Sequence, residues 1–441
     1  MQRNRMFQLA VSLAACLCHC LPLAANDKAQ EIRFTSVPDI FNWNIGNPQA
    51  GWEETLDWFF DRLQKEGPDF MLNAGDIMDA RWWTDANEVR QKTEQYWGGF
   101  RKRFDDRAMT IYVAPGDHEY GDDGGLTKGE IARVFGEQFT KLMGMPRNGP
   151  SNHMGRAYFV RKNNLLLISL DTFEDKGEKF GYTVGDEQLA WMEQTLVANK
   201  DAEFIIVQGH LPVVGPVRSK NSSASMLEEG TNSALWKLMV KHGVDVYLCG
   251  EHHRITIKKH DGIWQIVHGA LWGTQTDLNY LRGTVRPNEM KLELLEFDVE
   301  YGGGYIGDHP YRSPQNRPRE TVTLNPKTRA EGPRTTGTLI LSSGPEGEMR
   351  DSTTSGWFTT PTMGSAEWMQ QVDRIVGITD AEGHGPDQGS EEWMQAVSHK
   401  LRMHDKAPDA APDSGANGPV LGSDEWKRAV HRKVFYAEPN E

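Results

Sequence analysis

The chain has 441 residues and carries 62 acidic against 48 basic side chains, a formal charge of −14. That length holds one large domain with appendages or two domains, and the acidic balance disfavours non-specific binding to nucleic-acid phosphates. Four cysteines in so long a chain do not make a disulfide-stapled scaffold.

Residues 1–25 read as an export signal: Arg3 and Arg5 supply the positive start, Met6 to Leu23 are largely apolar, and Ala24-Ala25 offer small residues for cleavage. Leu13-Ala14-Ala15-Cys16 also resembles a lipobox, which would place a lipid on Cys16. The apolar run continuing to Leu23 favours ordinary secretion, to the periplasm or beyond, and both routes leave the cytoplasm. Cys16, Cys18 and Cys20 leave with the signal, so Cys249 is alone in the mature chain and is expected to be a packing residue. No later stretch reaches about 18 consecutive apolar residues, so no membrane span is expected.

From Glu31 to about Asp298, short β-rich runs alternate with amphipathic stretches, the pattern of βαβ units. Strands are expected at Ile32–Val37, Phe70–Asn73, Met109–Ala114, Ala157–Val160, Leu165–Leu170, Phe204–Gln208, Val244–Leu248 and Trp264–His268. Helices are expected at Trp52–Lys65, Asn87–Phe104, Glu130–Met143, Asp186–Ala198 and Asn232–His242. Leu292–Tyr301 and Thr335–Leu341 read as further strands. Helices covering both sheet faces imply a layered α/β sandwich with a large core.

Polar clusters fall where these strands run out: Pro38-Asp39, Gly75-Asp76-Ile77-Met78-Asp79, Gly116-Asp117-His118-Glu119, Gly209-His210 and Gly250-Glu251-His252-His253. Carboxylates and imidazoles at successive strand ends of an open α/β sheet face one crevice, and there they assemble a metal site.

Past residue 345 the composition changes, and a repeat appears: Gly364-Ser365-Ala366-Glu367-Trp368, Gly389-Ser390-Glu391-Glu392-Trp393 and Gly422-Ser423-Asp424-Glu425-Trp426. Each serine is a good N-cap, acidic residues sit in the first turn, and Trp, Val four on and an aliphatic eight on form one apolar stripe. Residues 346–441 are therefore expected to be a partly disordered tail of three short helices, with Ala407–Pro419 disordered in composition. Such short helices need a surface to dock on. They either pack on one another and on the residue 26–345 domain, or present their tryptophans to a protein or polymer partner.

The strand-end clusters resemble the motifs of calcineurin-like metallophosphoesterases over about Ile32 to Gly273. That family carries Asp-x-His, Gly-Asp-x-x-Asp, Gly-Asn-His-Glu, a lone His and Gly-His-x-His, in that order, on a four-layer α/β/β/α sandwich around two metal ions. The resemblance implies that Asp76 bridges the ions, that Asp39 and His253 complete one site, and that Asp117, His210 and Glu251 complete the other. Two carboxylate oxygens can serve ions about 3.5–4 Å apart. His118 would face the scissile phosphate and protonate or stabilise the leaving oxygen, with Asp79 orienting it. From their place just past the second motif, Arg81, Trp82 and Trp83 are candidates to line a substrate pocket, and His252, pointing away from His253 on an extended segment, is expected to face solvent or the substrate rim.

Three departures qualify the resemblance. Phe41 stands where the family has a ligating His, Asp117 replaces Asn, and Glu251 replaces the first His of the last motif or serves a salt bridge instead. Asn44, or else Asn42, is the oxygen donor near the vacated place. Four ligand carboxylates favour hard ions, Mn or Fe over Zn, with Mg also open. The implied function is an exported hydrolase cleaving phosphate mono- or diesters by a metal-bridging hydroxide. The competing reading is a catalytically degenerate metal-binding surface protein that holds a partner or polymer through its tail.

Overall fold

Strands buried on both faces have no polar side to show, which is why the runs Phe70–Asn73, Leu165–Ser169 and Phe204–Gln208 are almost continuously apolar. The computed structural model describes residues 31–40, 51–77, 83–219, 222–269, 271, 277–302, 321–342, 351–379, 384–401, 403 and 419–435. The first half runs β1 (Ile32–Ser36), α1 (Trp52–Glu66), β2 (Phe70–Asn73), α2 (Ala86–Asp105), β3 (Ile111–Val113), α3 (Asp122–Leu126), α4 (Gly129–Leu142), β4 (Tyr158–Lys162), β5 (Leu165–Ser169), β6 (Glu174–Asp175) and β7 (Phe180–Gly181). It continues α5 (Asp186–Ala198), β8 (Phe204–Gln208), α6 (Ala234–Lys241), β9 (Val246–Cys249), β10 (Thr256–His260), β11 (Ile263–Val267), β12 (Asp277–Arg286) and β13 (Glu289–Gly302). The last elements are β14 (Thr321–Leu324), α7 (Pro326–Glu331), β15 (Arg334–Ser342), β16 (Asp351–Gly356), α8 (Ala366–Val376), α9 (Glu391–Lys400) and α10 (Asp424–Phe435).

Two mixed sheets form the sandwich. One has the order β16-β15-β13-β12-β1-β2-β3 with β14 on β13, and the other β10-β11-β9-β8-β5-β4. The pairs β1/β2, β2/β3, β5/β8 and β8/β9 are parallel and joined through helices, so their carboxyl ends lie on one side.

The period-2 alternation of strand side chains divides the core. Phe70, Leu72, Leu165, Leu167, Phe204, Ile206, Val246 and Leu248 fill the space between the sheets. Their neighbours Met71, Leu166, Ile168, Ile205, Val207, Tyr247 and Cys249 face the helices instead. Helix α1 buries Leu56, Phe59, Phe60 and Leu63, with Phe59 stacked 5.5 Å from Phe297. The fold is the four-layer α/β/β/α sandwich. Cys249 is a buried free thiol whose ionisation burial pushes up, as a packing role requires.

Some expectations shift. Helix α6 begins at Ala234, not Asn232, because Ser233 caps it and accepts from Trp236 N. Strands β10, β12, β14 and β16 have no counterpart in the sequence reading. The last matters for the boundary at 345, since β16 pairs along β15 from Gly337↔Gly356 to Ser342↔Asp351 and carries the sheet to Gly356. The signal segment and, within the stretch of disordered composition, residues 407–418 lie outside the described residues. Among the described residues, no helix is long and apolar enough to cross a membrane.

The three repeat helices pack on one another, around Trp368, Trp393 and Trp426. Ser365, Ser390 and Ser423 each accept the backbone N–H of their tryptophan at 3.1 Å. Each indole N–H donates to the residue five past the tryptophan of another copy: Trp393 to Asp373 Oδ1 (2.6 Å), Trp426 to Ser398 Oγ (2.8 Å) and Trp368 to His431 Nδ1 (2.9 Å). The glycines opening the copies follow the same cycle, Gly389 against Met369, Gly422 against Met394 and Gly364 against Lys427. The repeats thus close into a ring with approximate threefold order. The tryptophans are at most 1% exposed, so their indoles are not free anchors for a partner.

Candidate metal centre

The crevice is built where β1, β2 and β3 of one sheet end opposite β8 and β9 of the other. Past the strands proper, Val37 N donates to Leu72 O and Asp39 N to Gly75 O, both at 2.9 Å, so the β1 and β2 loops leave in parallel. Asn73 fixes the turn between them: its Nδ2 donates to Val37 O at 2.6 Å and its Oδ1 accepts Gly75 N at 2.9 Å. Two glycines let the loops approach. A Cβ on Gly75, which has φ +102°, would lie 2.6 Å from Gly116 N, and one on Gly116 would lie 2.2 Å from Asp76 Oδ1.

Glu119 locks that contact. Its carboxylate accepts Asp76 N (2.7 Å), Gly116 N (2.8 Å) and Ile77 N (3.0 Å), tying the β2 loop to the β3 loop. Behind it, His268 at the end of β11 reaches Ser36 Oγ at 3.0 Å and joins the two sheets. Burial pushes the His268 ring down to about 4, so it is neutral.

Asp39, Asp76, Asp117, His118, His210, Glu251 and His253 are all buried here. His210 Nδ1 donates to Ala74 O at 2.7 Å, which turns Nε2 toward Asp117 Oδ1 (3.1 Å), Glu251 Oε2 (3.2 Å) and Asp76 Oδ2 (3.5 Å). Across the crevice, His253 Nε2 lies 3.9 Å from Asp39 Oδ1, which accepts Glu251 N at 3.1 Å. Among the described residues the donor atoms form three groups, each within 4.8 Å: Asp76-Asp117-His210-Glu251, Asp39-Asp76-His253 and Asp117-His118-Asp122, and Asp76 joins the first two. Asp39, Asp76, Glu251 and His253 all have φ between 54° and 70°. Left-handed backbone at four non-glycine residues is strain of the kind found at functional sites.

The electrostatics explain what the pocket wants. Burial first, then Glu251 and Asp117, push Asp39 up to about 8 against the pull of His210. Burial and Asp117 push Asp76 and Glu251 above their usual range as well. Asp117 alone goes down, because His118 and His210 together outweigh its burial. Burial pulls His210 down, yet Asp76, Asp117 and Glu251 raise it well above the usual imidazole range. Four carboxylates cannot all ionise in so small a buried volume without cations. Asp39 Oδ2 and Asp117 Oδ1 are buried without a hydrogen-bond partner; His210 Nε2 is close to the latter but makes no hydrogen bond to it. Oxygen-rich, with orphaned oxygens and two imidazoles, this donor set suits metal ions.

A family model described as Calcineurin-like phosphoesterase matches residues 32–254, just over half the chain and all five clusters. The chain belongs to that family. This phosphoesterase is therefore a metal-dependent phosphoester hydrolase with a buried Asp/His/Glu cluster able to hold metals. It is 26% identical over 286 residues to tartrate-resistant acid phosphatase type 5 of Rattus norvegicus, covering 59% of this chain and 77% of that one. The Oryctolagus cuniculus counterpart is 33% identical over 229 residues, covering 47% and 62%. Among solved structures, a dimetal phosphatase from Danio rerio aligns at 14% identity and a TM-score of 0.45, covering 59% of this chain and 95% of that one.

Not every expected residue joins the phosphoesterase's crevice. Phe41, Asn42, Asn44, Asp79, Arg81 and Trp82 lie outside the described residues. Trp83 packs on Tyr96 and Phe135 between α2 and α4. His252 is buried, not at a rim, and its Nε2 hydrogen-bonds Ser225 O at 3.1 Å. Sequence reasoning missed Asp122, the first residue of α3, whose Oδ2 lies 3.8 Å from His118 Nε2, although its place four past His118 was a usable signal. It also missed the structural part of Glu119, which the motif named without a role.

Proposed function

We propose that this phosphoesterase is exported and hydrolyses phosphate esters, with diesters favoured relative to monoesters, using two ions of Mn or Fe character. The observation that carries the reading is that Asp76 is common to the buried donor groups Asp76-Asp117-His210-Glu251 and Asp39-Asp76-His253. Asp39 and His253 would hold one ion with it, and Asp117, His210 and Glu251 the other. When bound, the pair supplies Lewis acidity to the phosphoryl oxygens and a water that ionises near neutral pH.

The chain supplies the rest. His118 stands at the crevice with Nε2 4.0 Å from Asp76 Oδ2, placed to protonate a leaving oxygen or to stabilise its charge. His210 is fixed in the Nδ1–H tautomer by Ala74 O, which keeps Nε2 available as a donor. Asp39, Asp76, Asp117 and Glu251 bring four negative charges against four from two divalent ions. A cluster near neutrality attracts a phosphate dianion less than a cationic one does, so the monoanionic diester loses less. Oxygen donors also favour harder ions than zinc. The similarity to acid phosphatases supports phosphate-ester hydrolysis, and the positive, apolar start of the chain supports export.

The test is metal content measured together with turnover on mono- and diesters. Two Mn or Fe per chain, with a rate that Asp76→Ala abolishes, is the expected result. Tightly held stoichiometric zinc with strong inhibition by inorganic phosphate would overturn the metal and diester assignment.

A further inference from the structure

Glu251 occupies a place where the family has histidine, and its two oxygens are treated differently. Oε2 faces the crevice, 3.2 Å from His210 Nε2. Oε1 points the other way and accepts two hydrogen bonds from one loop, Ser223 Oγ at 2.6 Å and Ser225 N at 2.9 Å. The loop is pinned from the other side as well, since His252 Nε2 meets Ser225 O at 3.1 Å. Ser222 Oγ accepts Ala224 N at 3.0 Å, and Ala224 takes φ 56°, so the tight turn that aims the Ser223 hydroxyl and the Ser225 amide inward is held locally.

Imidazole is a rigid ring with one donor nitrogen free for a cation. Glutamate has an extra rotatable bond and two equivalent oxygens, so it can chelate, swing away or pair with a neighbour. A ligand of that kind needs an outer partner to fix it. We propose that Ser223 and Ser225 are positioning residues of the metal centre: they hold Glu251 Oε1 so that Oε2 alone is offered to a cation. This clamp is what allows a carboxylate to stand in the histidine's place. The inference rests on the reading that the cluster binds metal ions. Ser223 is exposed while Glu251 is 1% exposed, so the serine hydroxyl also closes the pocket over the carboxylate.

Calorimetric titration of the metal-stripped full chain with Mn²⁺, and separately with Zn²⁺, tests the clamp. The unaltered protein is expected to take up two ions. Ser223→Ala should weaken one of them about 10- to 100-fold, the usual effect of removing an outer partner. The other ion and the melting temperature of the metal-free protein should not change, because Ser223 is a surface side chain. Ser223→Thr, which keeps the hydroxyl, should restore the affinity. In a Glu251→His background Ser223→Ala should have no further effect, since the carboxylate it holds is gone. Two ions at unaltered affinity in Ser223→Ala would overturn the clamp and leave the dimetal reading standing. Equal weakening in both backgrounds would overturn it too, by showing that the serine does not act through Glu251. An unaltered protein that binds neither ion would overturn both readings.

Discussion

Asp39 ionises near 3.8 when unfolded and near 8 in the folded, metal-free crevice, chiefly because it is buried. The folded state therefore holds a proton that the unfolded chain releases across that window. The resulting stability is present below about pH 4 and is lost as pH rises through 8. A cation replaces the proton and removes the penalty. Hence the gap in melting temperature between metal-loaded and chelator-treated protein should widen from pH 5 to pH 8, and a gap that narrows would contradict the placement of Asp39. Glu119 supports the same loops without facing the ions. Glu119→Ala leaves three buried N–H groups unsatisfied, each worth about 1–3 kcal/mol, so it should unfold at clearly lower denaturant even when metal is absent. Asp76→Asn should instead retain metal-free stability and lose both ions, by more than the roughly 10- to 100-fold typical of outer partners. At this scale most of the crevice was legible, because glycine-flanked Asp and His at strand ends have few other uses. Ser223 and Ser225 were not, since a serine-rich loop reads as solvent-exposed until a carboxylate is found beneath it.

The repeat helices show what an element's sequence can and cannot disclose. Serine cap, acidic first turn and Trp-Val-aliphatic stripe fixed each helix in advance, because those signals act within one turn. The partner was undetermined, since an apolar stripe specifies only that something covers it. The closing cycle of indole hydrogen bonds depends on residues from different copies, Asp373, Ser398 and His431, which share no chemical type. Strands β10 and β12 stayed hidden for a related reason. Thr256-Ile257-Lys258-Lys259-His260 is an edge strand with a polar surface, and β12 carries Gly283, into whose missing side chain Phe34 packs. Trp393 is fully buried in the ring, 6.3 Å from Trp426 and bonded to Asp373. Trp393→Ala should destabilise the bundle by about 3–5 kcal/mol, seen as rapid proteolysis between residues 364 and 435 while phosphoesterase turnover persists. Turnover lost in step with bundle cleavage would show that the two units are not separable.

The bundle meets the sandwich at an open end of the inter-sheet core. Trp357 and Phe358, just past β16, are counted in that core, and Ile375 of α8 packs against it. Arg374 lies 4.1 Å from the centroid of Trp357, whose indole N–H donates to Glu296 Oε2 at 3.1 Å. Gln371 Nε2 adds a bond to Gly356 O. The bundle therefore covers apolar surface that two sheets alone would leave wet, while among the described residues every candidate metal ligand comes from residues up to His253. That separation predicts the outcome of truncation. Removing residues 364–441 keeps β16 and hence the edge of the sheet, unlike a cut at 346, which would take a paired strand away. The truncated protein should keep two-ion binding and turnover. Its melting temperature should fall by roughly 2–8 °C, given about 2–4 °C per kcal/mol for a domain of this order. Arg374→Ala in the full chain should reproduce part of that fall, about 1–2 kcal/mol for a desolvated cation over an indole. If truncation left the melting temperature unchanged, the contact around Trp357 would be energetically idle and the bundle would be a tethered passenger. If it abolished metal binding in a folded sandwich, the metal centre would depend on the tail through a route that passes by none of its ligands.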